Sequence, residues 1–112
     1  MNFTDLEKLV LEWAEEKDLL HEENTEKQFM KFIEEVFEFK NEMDLCNYGS
    51  EIMKDKNMWY LKTEMGDVFV TLIILCKQLE IDPSECLELA YNKISKRKGK
   101  TLNGIFVKEE DL

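Results

Sequence analysis

The sequence has little of what a turn-rich or disulfide-bonded protein needs. Its 112 residues include only four glycines and one proline, which disfavours a β-rich architecture with many tight turns. The three cysteines form no CxxC pair and cannot all pair with one another. Cys76 lies in the apolar run FVTLIILC, so we expect a reduced thiol in the core at that position.

We expect neither a targeting signal nor a membrane-spanning segment. The start, MNFTDLEKLV, has no basic region followed by an apolar block, so we expect no secretory signal. The apolar run at residues 68–76 is well short of the roughly 20 residues that span a bilayer. We therefore expect a cytoplasmic protein with no membrane partner.

Positive charge is scarce and unevenly distributed. The chain has 25 acidic and 15 basic residues, a formal net charge of −10. Such acidity repels nucleic acid and anionic membranes, so we expect neither as a partner. The segment KISKRKGK, residues 93–100, nevertheless concentrates five basic residues and predicts a local positive patch.

The residues that are abundant predict helices. With 44% hydrophobic and 36% charged residues, the chain suits a single soluble domain over residues 1–112. Apolar spacing and start signals predict four helices, at about 4–17, 25–46, 51–80 and 83–98, and an irregular tail at 99–112. TDLE places Thr4 as an N-cap, and DPSE places Asp82 as an N-cap with Pro83 at the first helical position. NYGS, residues 47–50, is predicted to separate the second helix from the third.

Two pairs of carboxylates recur at a helical spacing of three residues. Glu35 and Glu38 form one pair, and Glu64 and Asp67 the other. Residues three apart lie about 60° from each other on one helix face, so two such pairs on antiparallel neighbours would meet. Gly66, inside the third predicted helix, costs about 1 kcal/mol relative to alanine. We therefore expect something to approach the backbone closely there.

Four carboxylates placed together over an apolar core would repel one another unless a cation joins them. Oxygen ligands without a nearby histidine or thiolate favour Mg²⁺, or Mn²⁺, over Zn²⁺. The only histidine, His21, lies in a connector, which excludes the Glu-x-x-His motif of di-iron bundles. The alternative is that these are ordinary solvated surface acids. Two pairs bordered by dense apolar stripes favour the metal site.

These motifs resemble those of a known family. EEVFE, followed after 25 residues by EMGD, is similar to the EExxE…ExxD signature of the all-α nucleoside triphosphate pyrophosphohydrolases, and within them to the short single-domain MazG-like group. The likeness extends to KQFMKFIEEVFE, GDVFVTLIILCKQLEID, AYNKISKRKGK and NGIFVKEED, from about residue 9 onward. It implies an oligomeric four-helix bundle, a homodimer or homotetramer. It also implies Mg²⁺-dependent hydrolysis of an NTP or dNTP to the monophosphate and pyrophosphate.

The resemblance also implies roles for individual acids. It assigns metal binding to four catalytic residues: Glu35, Glu38, Glu64 and Asp67. Glu34, the first acid of EExxE, is the fifth candidate catalytic residue. Three roles stay open for Glu34: accepting a proton from a metal-bound water, orienting that water, or forming a structural ion pair.

The candidate substrate-binding residues are mostly basic. Asn92, Lys93 and Arg97 match the basic helix of the family, where such residues contact phosphates. Lys93 and Arg97 are four residues apart, so on one helix face they would grip a triphosphate together. Gln28 and Lys31, which precede the acidic motif, are further candidates for substrate contact, with ordinary surface roles as the alternative.

The sequence leaves the substrate open. A narrower enzyme of the same superfamily, specific for dUTP or dCTP or for phosphoribosyl-ATP, is one alternative. A non-catalytic helical module that binds a nucleotide or a protein is the alternative from another class. The intact set of four acids argues against that module, because simple binding has little use for all four.

Overall fold

The computed structural model of this chain describes residues 1–48 and 51–112, and side chains over 1–46 and 57–112. Within these ranges the chain forms four α-helices: α1 (Phe3–Glu16), α2 (Thr25–Tyr48), α3 (Glu51–Gln78) and α4 (Pro83–Ile94). The predicted all-α class is thus confirmed. The predicted break at 47–50 is not tested, since Gly49 and Ser50 lie outside the described residues. Over the described ranges, every helix is too short or too polar to serve as a transmembrane span.

The N-cap of the first helix lies two residues before the predicted cap. Asn2, not Thr4, is the N-cap: its side chain accepts a 2.8 Å hydrogen bond from the backbone N–H of Asp5. The Asp5 carboxylate accepts one in return from the Asn2 backbone N–H. The Thr4 prediction is wrong because asparagine caps at least as well as threonine and sits further upstream. The prediction for α4 is confirmed, with Asp82 as N-cap and Pro83 in the first turn.

Residues Met1–Ile81 form one compact unit in which α3 contacts both α1 and α2. Gln28, near the start of α2, donates to the backbone carbonyl of Thr71 at 3.2 Å. Asn57, in the first half of α3, donates to the carbonyl of Leu45 at 3.4 Å. Because the start of one helix meets the later part of the other, α2 and α3 are antiparallel.

The buried apolar core of the described residues is small. Its members are Ala14, Ile73, Ile74 and Cys76. Cys76 is therefore buried, as predicted. Large apolar side chains on α1 and α2 are instead exposed: Trp13 is 46% exposed and Phe37 is 64% exposed. The apolar stripes of α1 and α2 supply more hydrophobic surface than this core takes up.

Residues Asp82–Leu112 form a second compact unit that contains α4 and a hairpin. Strands β1 (Gly99–Leu102) and β2 (Ile105–Lys108) pair antiparallel, with Leu102 opposite Ile105. Asn103 and Gly104 connect them, with φ of +52° and +78°. Positive φ at both positions defines the type I′ turn that suits two-residue hairpins.

The hairpin replaces the irregular tail that the sequence predicts. The helix ends at Ile94 instead of 98, and Gly99 opens the first strand. A Cβ on Gly99 would lie 2.1 Å from the carbonyl oxygen of Val107, so only glycine fits there without a shift of the backbone. The prediction missed this hairpin because it weighed helical periodicity and overlooked the Asn-Gly turn signal.

Candidate metal centre

Helices α2 and α3 bring three of the candidate metal ligands together. Glu35 of α2 and Glu64 and Asp67 of α3 each offer a carboxylate oxygen, and these oxygens all lie within 4.8 Å of one another. The antiparallel pairing of the helices sets Glu35 opposite the ExxD pair, in which the two acids share a face.

Glu38 adjoins this group from one turn further along α2. A hydrogen bond to Glu35, together with repulsion from that same carboxylate, raises the pKa of Glu38 above its ordinary value. Repulsion from Glu64 acts in the same direction. We call Glu35, Glu38, Glu64 and Asp67 the acidic cluster.

The acidic cluster reaches from solvent into the protein interior. Glu35 is 7% exposed. The pKa of Glu64 is raised, mainly by burial and also by repulsion from Asp67. Oε2 of Glu35 and Oε2 of Glu64 are buried without a hydrogen-bond partner among the described residues. A buried ionised oxygen without a partner is energetically costly. A cation bound by these two oxygens would offset that cost.

Lys31 provides part of the positive charge that the acids require. Its Nζ lies 3.2 Å from Oε1 of Glu35 and 3.6 Å from Oε2 of Glu34. The hydrogen bond to Glu35 is the main reason that the pKa of Lys31 is raised. Within the described side chains, this lysine is the cation in ion-pair contact with the acidic cluster. One ammonium cannot offset four carboxylates, whereas a divalent ion with all-oxygen ligands suits them.

The remaining candidates on α2 have defined surroundings. Glu34 is exposed and forms an ion pair with Lys31. A structural ion pair is one of the three roles left open for Glu34 by the sequence. The amide nitrogen of Gln28 is engaged by the Thr71 carbonyl and ties α2 to α3. Its contact with substrate stays a prediction.

The expectation for Gly66 is wrong within this chain. A Cβ built on Gly66 would meet no atom within 4 Å, so no element among the described residues packs against that position. This glycine stands in open space on α3, beside Asp67 of the acidic cluster.

The candidate phosphate ligands lie in the second unit. Asn92 and Lys93 are exposed in the last turn of α4, and Arg97 is half-buried beyond the end of the helix. The inference that Lys93 and Arg97 share one helix face is wrong, because the helix ends at Ile94. The Arg97 backbone N–H bonds instead to the Ile94 carbonyl in a tighter turn.

One further acid near the cluster was missed by the sequence reasoning. The charge of Glu42 contributes to the raised pKa of Glu64. Glu42 follows Glu38 by four residues and Glu35 by seven, which is the spacing of a single helix face. Extending the acid spacing by one more turn would have found it.

Comparison with known families identifies the class of protein. The model of the MazG nucleotide pyrophosphohydrolase domain matches residues 17–102, a range that contains the acidic cluster and α4. The chain belongs to this family. The family relationship and the chemistry of the donor set agree that Glu35, Glu64 and Asp67 can bind a divalent metal.

One similar protein comes from a bacteriophage. The chain is 37% identical over 81 residues to an uncharacterised 18.2 kDa protein from the rep-hol intergenic region of Haemophilus phage HP1 (strain HP1c1). The match covers 70% of this chain but only 44% of that relative, so the chain spans less than half of its length. A comparison with solved structures gave no match.

Proposed function

We propose that this protein is a Mg²⁺-dependent nucleoside triphosphate pyrophosphohydrolase that converts an NTP or dNTP to the monophosphate and pyrophosphate. The observation that supports this most is the pair of buried carboxylate oxygens, on Glu35 and Glu64, that lack a partner beside Asp67. In a MazG domain, such a group is suited to hold the cation that a triphosphate requires.

In this proposal the acidic cluster holds Mg²⁺, or Mn²⁺ in its place. The bound ion would offset the negative charge of the triphosphate and lower the pKa of a water molecule bound to it. Lys31 fixes the Glu35 carboxylate through their 3.2 Å ion pair and holds Glu34 at the edge of the cluster. Glu34 is then placed to orient a water or accept its proton.

Asn92, Lys93 and Arg97 are the residues that we propose for contact with the phosphates. Lys93 is exposed, and the backbone of Arg97 is held by the turn after α4, while Asn92 offers a neutral hydrogen-bonding group. Arg and Lys form charge-assisted hydrogen bonds to phosphate oxygens. We assign these three residues to the triphosphate and Gln28 and Lys31 to further substrate contact.

We also propose that the protein is a cytoplasmic homo-oligomer, a dimer or a tetramer, with no nucleic-acid or membrane partner. Exposed aromatic side chains on α2 and α3 support self-association. Trp59, at 62% exposure, and Phe37, at 64%, are unusually accessible for large apolar residues on packed helices.

The release of pyrophosphate from a panel of nucleotides tests the activity. The panel contains the common NTPs and dNTPs, dUTP, and phosphoribosyl-ATP, each with Mg²⁺ and with excess chelator. We expect Mg²⁺-dependent turnover that is lost in Asp67→Asn and kept in Glu12→Gln, an exposed control on α1. Turnover of dUTP and dCTP alone, or of phosphoribosyl-ATP alone, would select the narrower alternative. Nucleotide binding without pyrophosphate release would instead support a binding module.

A further inference from the structure

One face of the C-terminal hairpin carries an aromatic ring beside a glycine. In the antiparallel register, Gly99 is opposite Lys108 and Thr101 is opposite Phe106. Residues directly opposite each other point to the same face of a strand pair, and alternate residues along a strand share a face. These four residues therefore form one face of the hairpin, which we call the Phe106 face. Ile105, the neighbour of Phe106 in β2, points to the opposite face.

The ring of Phe106 leans diagonally across the strand pair toward Gly99. A Cβ on Gly99 would lie 2.7 Å from Cζ of Phe106, so the glycine leaves the space that the end of the ring occupies. Phe106 is nevertheless 49% exposed, and part of its ring stays open to a ligand. A flat ring that is held at one end and accessible elsewhere is suited to stack on a second aromatic ring.

Two basic residues border the Phe106 face. Lys108 follows Phe106 by two residues, a distance of about 7 Å along a strand, and Arg97 precedes Gly99 by two residues. Arg97 and Lys108 are half-buried, whereas Lys98 is exposed. Among the side chains that the structure describes, neither Arg97 nor Lys108 forms an ion pair with a carboxylate. Both positive charges are therefore available to an anion.

We propose that Phe106 stacks on the base of the nucleotide substrate, while Arg97 and Lys108 bind its phosphates. A nucleotide joins an aromatic base to an anion through one ribose, and the Phe106 face offers a ring and a cation at a separation that a ribose can span. The inference rests on the proposed function, in which Arg97 already contacts the triphosphate. It adds Phe106 and Lys108 to the substrate contacts.

Stacking on Phe106 also bears on the choice of substrate. A stacked ring contacts the face of a base and leaves its hydrogen-bonding edge unread, so stacking tolerates every base. The inference therefore favours a broad range of NTP or dNTP substrates over a single nucleotide.

The base contact is tested by comparing nucleotides with a probe that has no base. The nucleotide probes are the α,β-methylene analogues of ATP and UTP, in which the bond to be cleaved is replaced. The probe without a base is inorganic tripolyphosphate. Isothermal titration calorimetry of the full chain with Mg²⁺ gives each dissociation constant. We expect Phe106→Leu to weaken binding of both nucleotide analogues by about 5- to 150-fold, with binding of tripolyphosphate unchanged.

Three further variants separate stacking from other effects. Phe106→Tyr keeps an aromatic ring and should keep the nucleotide affinity. Ile105→Ala removes a 68% exposed apolar side chain from the opposite face and should change neither nucleotide nor tripolyphosphate binding. Lys108→Ala should weaken both kinds of ligand by about tenfold or more, because it removes a charge-assisted contact with phosphate. Thermal melting checks that each variant is folded.

The outcomes distinguish the base contact from the proposed hydrolysis. Equal losses of nucleotide and tripolyphosphate binding in Phe106→Leu would overturn the base contact, because the ring would then only support the basic residues. Unchanged nucleotide binding in Phe106→Leu would overturn it as well. If the selective loss is found but the wild type releases no pyrophosphate, the base contact stands and the proposed hydrolysis is wrong. A wild type that binds neither analogue would overturn both.

Discussion

The two compact units of this chain differ sharply in charge. Residues 1–81 contain 19 acidic and nine basic residues, whereas residues 82–112 contain six of each. The whole net charge of −10 therefore resides in the first unit, which also carries the acidic cluster. The second unit is neutral and concentrates its basic residues at 93–100.

This difference shows why overall acidity is a poor guide to the ligand. An acidic protein repels a triphosphate over long range, yet a divalent ion reverses the sign locally where it is bound. Acidic residues would then act through a bound metal and basic residues through their own charge. Variants that separate these two contributions test the division.

The largest effect should come from the metal side. We expect Glu38→Gln or Asp67→Asn to lower kcat/KM by at least about 100-fold, since even residues that only support metal ligands cost about 10- to 100-fold. In chelator, each variant should unfold at the same temperature as the wild type or higher, because repulsion within the acidic cluster is relieved. Nucleotide turnover and thermal melting measure the two effects. Full activity in either variant would remove that residue from the ligand set.

The next effect should come from the phosphate side. Arg97→Ala should reduce kcat/KM by roughly 10- to 150-fold, because a lost charge-assisted contact costs about 1.5–3 kcal/mol. Lys98→Ala removes the same charge from the neighbouring residue, which is exposed. This variant should change kcat/KM little. Metal affinity should be unchanged in both. Equal losses of activity would mean that the basic segment acts only as a diffuse field.

Two glycines, one in each unit, allow a matched test of stability. Gly99→Ala should destabilise the hairpin by about 1–3 kcal/mol, because the added Cβ would overlap the Val107 carbonyl. Gly66→Ala should stabilise α3 by up to about 1 kcal/mol, because open space surrounds that position. Denaturant unfolding measures both. Destabilisation at Gly66 would indicate a close neighbour from outside the chain.

The smallest effect concerns a histidine of the acidic unit. His21 Nε2 lies 2.5 Å from Oδ1 of Asp18, and this hydrogen bond raises the pKa of His21 above 6.5. A raised folded-state pKa stabilises below pH 6.5, and that stability is lost as the pH rises through the folded value. The melting temperature of the wild type relative to His21→Gln should therefore fall as the pH rises above about 6.5. A constant difference would mean that the pair does not act on folding.

The sequence alone predicts the helical class and the meeting of the acids, because both follow from helical periodicity. Spacings of three and four residues set Glu35 and Glu64 on apolar-bordered faces, and antiparallel neighbours then bring them together. The hairpin depends instead on two residues, Asn103 and Gly104, whose positive φ produces no periodic pattern. Helical spacing does not distinguish a buried apolar side chain from an exposed one, so the 64% exposure of Phe37 could not be predicted from the sequence.

The most direct test of the metal centre is the binding of Mn²⁺ to the metal-free protein. Electron paramagnetic resonance measures this binding, because the signal of the free ion is lost when the ion binds. It requires no substrate and does not depend on which nucleotide is used. We expect the wild type and Glu12→Gln to bind Mn²⁺, with Mg²⁺ as competitor, and Asp67→Asn to bind it at least about tenfold more weakly. Equal binding by all three proteins, or by none, would contradict a metal centre formed by the acidic cluster.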